Sequence, residues 1–482
     1  MAEVVVIGGG VGGLAAAIRL RAASHQVTIL ERRTEVGGKL AVVEREGFRF
    51  DAGPSLLTLP SVFDELLRCA GTCLSDEVPL HRLDPQLHHR WPDGSAFDTR
   101  DGPAATAAAM ERFSPGAGAA YRRFEARGAR IWDVSRRTFL AGPMTGGLAL
   151  MGRMRSPLDL PAIDPLRTLD TAARAVFTDP RLVQWAGRYA TYSGSSPRRA
   201  PATLACIPSI EAREGVWYPP GGLGVLRDAL VRVALERGVE VVTEAEVATV
   251  EVAGGGVRGV HTTAGERHRA DVVVANVDAE HLFGDLMPAP RAHRRATSVG
   301  RSLSGFVLLA GVRGTTPGLA HHTVWFPEDG AAELRQLDDG AFADDPTIYG
   351  CVSSVTDATQ APPGHENWFL LVNAPHGRRV DRPAYRDLLL ERLAARGTDL
   401  RSRLLFTECL GPADLAERYR SPGGAIYGTS SNGRRAAFLR PGNRGPHRGL
   451  YLVGGSSHPG GGLPLVAMSA QIVAGLVHED GW

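Results

Sequence analysis

Gly8-x-Gly10-x-x-Gly13 stands between a β-branched run, Val4 to Ile7, and an alanine-rich stretch that opens at Leu14. Glycines at this spacing let the chain turn sharply out of a strand at Gly8. They bring bare backbone against a pyrophosphate at Gly10 and pack a helix close on the sheet at Gly13. Val11 and Gly12 complete the turn, and the free N–H groups and positive dipole end of the helix then face the phosphates. A second strand-like run, Gln26 to Leu30, ends at Glu31, where a carboxylate can accept hydrogen bonds from a ribose diol. Strand, glycine turn, helix, strand and acid in this order specify a dinucleotide site.

That set alone does not separate a nicotinamide from a flavin dinucleotide; the residues after it do. Glu31-Arg32-Arg33-Thr34-Glu35-Val36-Gly37-Gly38-Lys39 places the pair Gly37 and Gly38 where a second bare loop can pass beside an extended cofactor. Arg32 or Lys39 is suited to neutralise pyrophosphate charge. Phe48 to Ser55 reads as a short strand ending in a turn, with Gly53, Pro54 and Ser55 as a backbone wall for the ribityl chain or the flavin ring. Asp51 reads as a strand-end carboxylate. At the far end, Gly454-Gly455-Ser456-Ser457-His458-Pro459-Gly460-Gly461-Gly462-Leu463-Pro464 follows a strand and opens a helix. So many positions without side chains permit close approach to a flat ligand, with Gly454, Gly455, Gly462, Leu463 and Pro464 as the expected contacts. The helix starting there would aim its positive end at the flavin pyrimidine. Val247 and Asn276, in strand-like stretches of the same part, complete the expected cofactor contacts, and FAD is the expected cofactor. No Ser-His-Asp set is present. The catalytic residue is left unassigned, His458 being a candidate for acid–base work against a structural role in its own loop.

Stepping outward to the elements, 482 residues exceed what one hydrophobic core usually organises, so two domains, or one inserted in another, are expected. The 43% apolar and 22% charged fractions are those of a globular protein, while 58 glycines are an excess that points to backbone work. The fold class is α/β. A Rossmann-like FAD-binding domain built from 1–79, 223–290 and 441–482 is interleaved with a mixed α+β substrate domain from 80–222 and 291–440. Within the FAD-binding part, helical periodicity over Leu223 to Arg237, a hairpin-like Val247 to Val260 and a strand Asp271 to Ala275 are expected. The stretch 80–222 reads as mixed helices and loops.

A formal net charge of +2 without long single-sign runs gives no global field that would argue for nucleic acid, no nucleic-acid-binding motif stands in the sequence, and no nucleic-acid partner is expected. Five scattered cysteines fit a reducing compartment, and no metal site is expected. Cys69 and Cys73 are one helical turn apart but lack a second ligand pair, and the adjacent pairs His88-His89 and His321-His322 would point to opposite faces of extended chain. The N-terminus enters a strand at once, which points to a cytoplasmic protein. No run reaches the roughly 18 apolar residues of a membrane span. Phe139 to Leu160, which mixes Leu, Met and Phe with Arg153 and Arg155, is suited to contact a membrane surface, so a peripheral position on the inner face of the membrane is expected.

Val4 to Lys39, Phe50-Asp51-Ala52-Gly53-Pro54-Ser55, Gly215-Val216-Trp217-Tyr218-Pro219-Pro220-Gly221-Gly222 and Tyr451 to Pro464 together resemble the FAD-dependent carotenoid desaturases of the bacterial phytoene desaturase type, within the flavin amine oxidase superfamily. The resemblance implies a hydrophobic linear polyene substrate, hydride transfer from an allylic carbon to flavin N5, and oxygen or a quinone as electron acceptor. Ala190 to Pro197 and Gly424 to Gly428 look closer to the branch that acts on hydroxylated carotenoids at the 3,4 position. Leu56-Leu57 departs from the aromatic pair of many phytoene desaturases. Trp185, Tyr189, Tyr192, Trp217 and Tyr218 read as core aromatics that could also line a polyene tunnel. A flavin amine oxidase acting on a soluble amine, and a non-catalytic flavin- or carotenoid-binding protein, are the competing readings.

Overall fold

Val4 to Ile7 is apolar at every position and buried at every position, as the centre of a parallel sheet requires. This computed structural model describes residues 1–144, 146–433 and 436–482. The strand Glu3–Ile7 lies in the middle of a five-stranded parallel sheet ordered Leu450–Leu452, Val272–Ala275, Glu3–Ile7, Gln26–Leu30, Glu240–Val242. Alternate side chains go to opposite faces. Val4 and Val6 join a core with the helices Val11–Ala22, Gly224–Glu236 and Leu463–Glu479, while Val5 and Ile7 join another core beneath the antiparallel sheet Val247–Ala253, Gly256–Thr262, Arg267–Arg269. Every strand of both sheets comes from 1–79, 223–290 or 441–482.

The second body is built on a seven-stranded sheet ordered Leu404–Leu410, Ser304–Arg313, His365–Ala374, Ile348–Cys351, His322–Trp325, Leu87–Arg90, Ala96–Thr99. It is antiparallel except between His322–Trp325 and Leu87–Arg90. Its strands come from 80–222 and 291–440, so the first of these stretches supplies two strands as well as helices. Val307 and Leu309 face a core shared with the helices Pro103–Phe113, Ala117–Thr138 and Pro180–Arg188, while Phe306, Leu308, Ala310 and Val312 face the helix Arg382–Ala395. Burial on both faces removes the polar alternation by which a strand is read from sequence.

Cys69 closes the helix Pro60–Cys69 and Cys73 precedes the next, Leu74–Glu77, so the two do not share a helical turn. Among the described residues no helix is long and apolar enough to cross a membrane.

Asp51 ties together two distant segments of the cofactor-binding body. Its carboxylate accepts the N–H groups of Leu223 (2.8 Å) and Gly224 (3.2 Å), at the start of the helix Gly224–Glu236. This is the N-terminal capping that Asp provides elsewhere within a helix's own chain, supplied here from another strand's end. Asp51→Ala is expected to destabilise the protein by about 1–2 kcal/mol, seen as a lower urea midpoint at unchanged m-value.

Candidate functional site

One cavity of about 1410 Å³ opens between the two bodies, larger than the roughly 300–1,000 Å³ of ordinary small-ligand pockets. Every residue put forward above as a cofactor contact lines it except Gly13, and His458 does not line it either. Gly13 lies behind the turn: a Cβ there would come within 2.2 Å of the Gly8 carbonyl oxygen, so its work is the close packing of helix on strand.

At the glycine end, the helix Val11–Ala22 starts at Gly10 and the helix Leu463–Glu479 at Gly462, and neither start carries a side-chain cap. Both therefore present unfilled N–H groups and the positive end of a helix dipole to the cavity. Asn276 locks the two together. Its Nδ2 donates to the Gly8 carbonyl (3.0 Å), and a Cβ at either Gly12 or Gly454 would stand only 2.7 Å from its Oδ1.

Glu31 is buried and already holds two loop amides, Gly9 N–H to Oε2 (2.8 Å) and Arg33 N–H to Oε1 (3.0 Å). It fixes the second strand's end against the glycine turn while facing the cavity. Arg32 reaches across to the carbonyls of Glu417 and Arg418 (2.6 Å each), at the C-terminal end of the helix Pro412–Tyr419. Lys39 donates to the Ile426 carbonyl (2.5 Å), and burial pulls its ammonium down to about 8, against the opposing attraction of Asp278. Ser55 is hydrogen-bonded to Tyr349 Oη (2.6 Å), and Tyr349 in turn to His322 Nδ1 (2.9 Å). Val247 faces the cavity beside Ala245 and Glu246.

Bare backbone on both sides of Asn276, two uncapped helix starts and cations nearby fit a flavin dinucleotide, whose pyrophosphate needs N–H donors and whose ring needs flat, unobstructed walls. Residues 11–478 match the family described as flavin containing amine oxidoreductase. The chain belongs to that family. Its cofactor is FAD. It is 35% identical to a hydroxyneurosporene desaturase of Cereibacter sphaeroides, with 99% of this chain and 98% of the relative covered. To a 4,4'-diapolycopene oxygenase of Methylomonas sp it is 33% identical at the same coverage. Among solved structures, putrescine oxidase with putrescine bound shares the fold at a TM-score of 0.67 and 14% identity, covering 99% of this chain and 98% of that one. These relatives set this family member in the branch of the carotenoid desaturases and oxygenases.

Several residues of the flavoenzyme site carry no motif and are visible only in the fold. Arg440, a buried residue, donates to the carbonyls of Tyr427 (3.0 Å), Thr429 (2.8 Å) and Gly455 (2.8 Å). Burial draws its guanidinium down to about 10. Asp278 is held above the ordinary carboxylate range by burial and caps the short helix after it through Glu280 N–H. Arg188, Glu211 and Tyr349 line the other part of the cavity with Trp132, Ile207 and Phe326. Of the aromatics considered above, Tyr192 lines the cavity, and Trp185 and Tyr189 pack in the core behind it. Trp217 and Tyr218 form a two-stranded pair with His81 and Arg82.

His321 and His322 do not diverge as an extended pair would. The strand begins only at His322, both rings are buried with centroids 4.5 Å apart, and their ligand atoms lie within 4.8 Å of Cys351 Sγ. His458 sits behind its loop, edge-on to Phe139 at 4.7 Å, and burial pushes its imidazole down to about 4. It is therefore neutral and outside the cavity wall, a setting that suits support of the loop. The carbonyl of His458 takes Asn443 Nδ2 and Ser469 Oγ, each at 2.8 Å.

Burial also lowers His321 to about 3, and holds His89 and His322 well below the ordinary imidazole range. In the unfolded chain these groups titrate near 6.5. Below that pH the unfolded state binds more protons than the native state, so stability present above about pH 6.5 is lost as pH falls toward 4. The expected slope is about 1.4 kcal/mol per pH unit for each such histidine. Urea midpoints at pH 7.5 and pH 5 check this: the lower pH gives the lower midpoint, with a smaller difference in His458→Gln.

Proposed function

We propose that this protein is an FAD-dependent desaturase of a linear carotenoid or related isoprenoid, with oxygen or a quinone as the final electron acceptor. The observation that carries the proposal is the continuity of the cavity. The glycine-lined cradle opens without interruption into a chamber walled by Trp132, Leu140, Ile207, Ile210, Phe326 and Leu371. A cradle for a dinucleotide needs no such extension, but a long apolar chain that must lie against its ring does. Bound FAD supplies the two-electron acceptor able to take a hydride from an allylic carbon. The chain's own residues have the remaining tasks. The apolar wall aligns the polyene and excludes water, and Ser55, fixed by Tyr349, holds the loop Gly53 to Ser55 in place.

Entry from a membrane surface is part of the same reading. Met151, Leu158, Leu160 and Leu166 are 63%, 68%, 47% and 66% exposed, an apolar group out of keeping with an aqueous surface. Leu150, Leu160, Ile163 and Pro165 of the same stretch line the cavity, so the exposed group sits at its mouth. Met151, Leu158 and Leu160 fall within the 139–160 segment, and Leu166 extends the group beyond it. Phe139 is turned inward on His458, and Arg153 donates to the Pro143 carbonyl (2.8 Å). Thr145 of that segment lies outside the described residues.

Two measurements test the proposal. Expression in hosts that accumulate acyclic carotenoids, followed by chromatography of the pigments, is expected to show products with longer conjugation, and anaerobic addition of a substrate polyene to the purified protein to bleach the oxidised flavin band. Products carrying new terminal carbonyls would move the reading to the oxygenases, and peroxide release from soluble amines to the amine oxidases. In liposome flotation the protein is expected to rise with the vesicles, and Leu158→Glu with Leu166→Glu to leave it at the bottom. Flotation unchanged by the pair would remove the apolar patch from the scheme.

A further inference from the structure

Arg188 ends the helix Pro180–Arg188 and turns its side chain into the apolar part of the cavity. It has no salt-bridge partner among the described residues; its one hydrogen bond there runs from Nη1 to Tyr192 Oη (3.1 Å). The guanidinium lies 5.1 Å from the ring centre of Tyr192 and 5.4 Å from that of Tyr349, held between aromatic faces. A guanidinium carries five N–H donors in a fixed fork, so most of its donors are left for something in the cavity.

Glu211 lines the same cavity from the helix Cys206–Glu214 and is 2% exposed. Its Oε2 accepts the Tyr189 hydroxyl (2.9 Å), while Oε1 is buried and has no hydrogen bond within 3.5 Å among the described residues, with the Tyr192 hydroxyl also turned toward the carboxylate. Burial pushes the carboxyl up to about 7, against the pull of Arg188. A buried oxygen without a partner costs roughly 1–3 kcal/mol, and an unpaired cation in an apolar wall costs more. A pure hydrocarbon would relieve neither.

We propose that Arg188 and Glu211 form a subsite for an alcohol-bearing end of the polyene, Arg188 donating to the hydroxyl oxygen and Glu211 Oε1 accepting its hydrogen. A hydroxyl answers both needs at once. A carbonyl end would satisfy the cation alone, and a methyl end neither. Tyr349 fixes where this subsite lies. The same ring that supports Arg188 is bonded through its hydroxyl to Ser55, in the loop assigned to the flavin wall. The hydroxylated end is thus held near the reacting ring, with the rest of the polyene running toward the mouth at Leu160. The subsite rests on the polyene reading above, and narrows it to oxygenated chains.

The test uses the FAD-loaded protein in detergent micelles and three acyclic polyenes of equal length, ending in a hydroxyl, an aldehyde or a methyl group. Binding is read from quenching of tryptophan fluorescence, and turnover from anaerobic bleaching of the flavin. The wild type is expected to bind the alcohol at least about tenfold more tightly than the hydrocarbon, with the aldehyde between. Arg188→Met, close in length and apolar, is expected to abolish that preference while retaining FAD and binding the hydrocarbon as before. Glu211→Gln, which keeps the size and one oxygen, is expected to retain a reduced preference. Equal affinity of the wild type for alcohol and hydrocarbon would overturn the subsite, and so would an Arg188→Met protein that loses both ligands in proportion. Alcohol-selective binding without any bleaching would leave the subsite standing and sink the desaturase reading instead.

Discussion

The carboxamide of Asn276 sits where the two ends of the chain meet. Its nitrogen holds the Gly8 carbonyl, and its oxygen is so close to Gly12 and Gly454 that neither position has room for a side chain. Three segments more than 170 residues apart in sequence are thereby pressed into one layer of bare backbone. The free N–H groups of two helices open on that layer. Close packing leaves little tolerance here, because a methyl group at Gly12 or Gly454 would have to displace the Asn276 carboxamide, which its bond to the Gly8 carbonyl holds in place. The flavin cradle is a consequence of this contact.

Cations secure the cradle to the substrate-side body, and their partners are mostly neutral. Arg32, Lys39 and Arg440 end on carbonyls of Glu417, Arg418, Ile426, Tyr427, Thr429 and Gly455. A carbonyl satisfies the N–H donors without cancelling the charge. Positive potential therefore persists beside the place where a pyrophosphate must sit, with Asp278 the nearby carboxylate that opposes it. The same bonds pin the loop from Gly424 to Thr429 against the C-terminal glycine loop, so the charges that favour the cofactor also join the two halves of the cavity. Burying such groups is expensive unless their donors find acceptors, and these carbonyls take part of that cost.

The dinucleotide turn was legible from residues 4–31 because its signal is local: a β-branched run, glycines at fixed offsets, and an acid at the next strand's end. The cofactor helices and their strands could be followed for the same reason. The seven-stranded sheet was not legible, since Ser304–Arg313 and His365–Ala374 are buried on both faces and lose the period-two pattern. His321 and His322 show the limit of a local rule. Alternation applies only within a strand, and the strand starts between them.

The order of residue types along the chain decided that a dinucleotide would be bound, and where the glycines that admit it would lie, because a turn's backbone conformation is a property of a few neighbouring residues. Which charged groups face the cavity was decided only when segments distant in sequence packed together. Arg188 and Glu211 lie 23 positions apart on separate helices, in segments otherwise like any buried helix. Nothing local to either distinguishes a solvated charge from one enclosed among aromatic rings, since enclosure is a property of what packs around a residue.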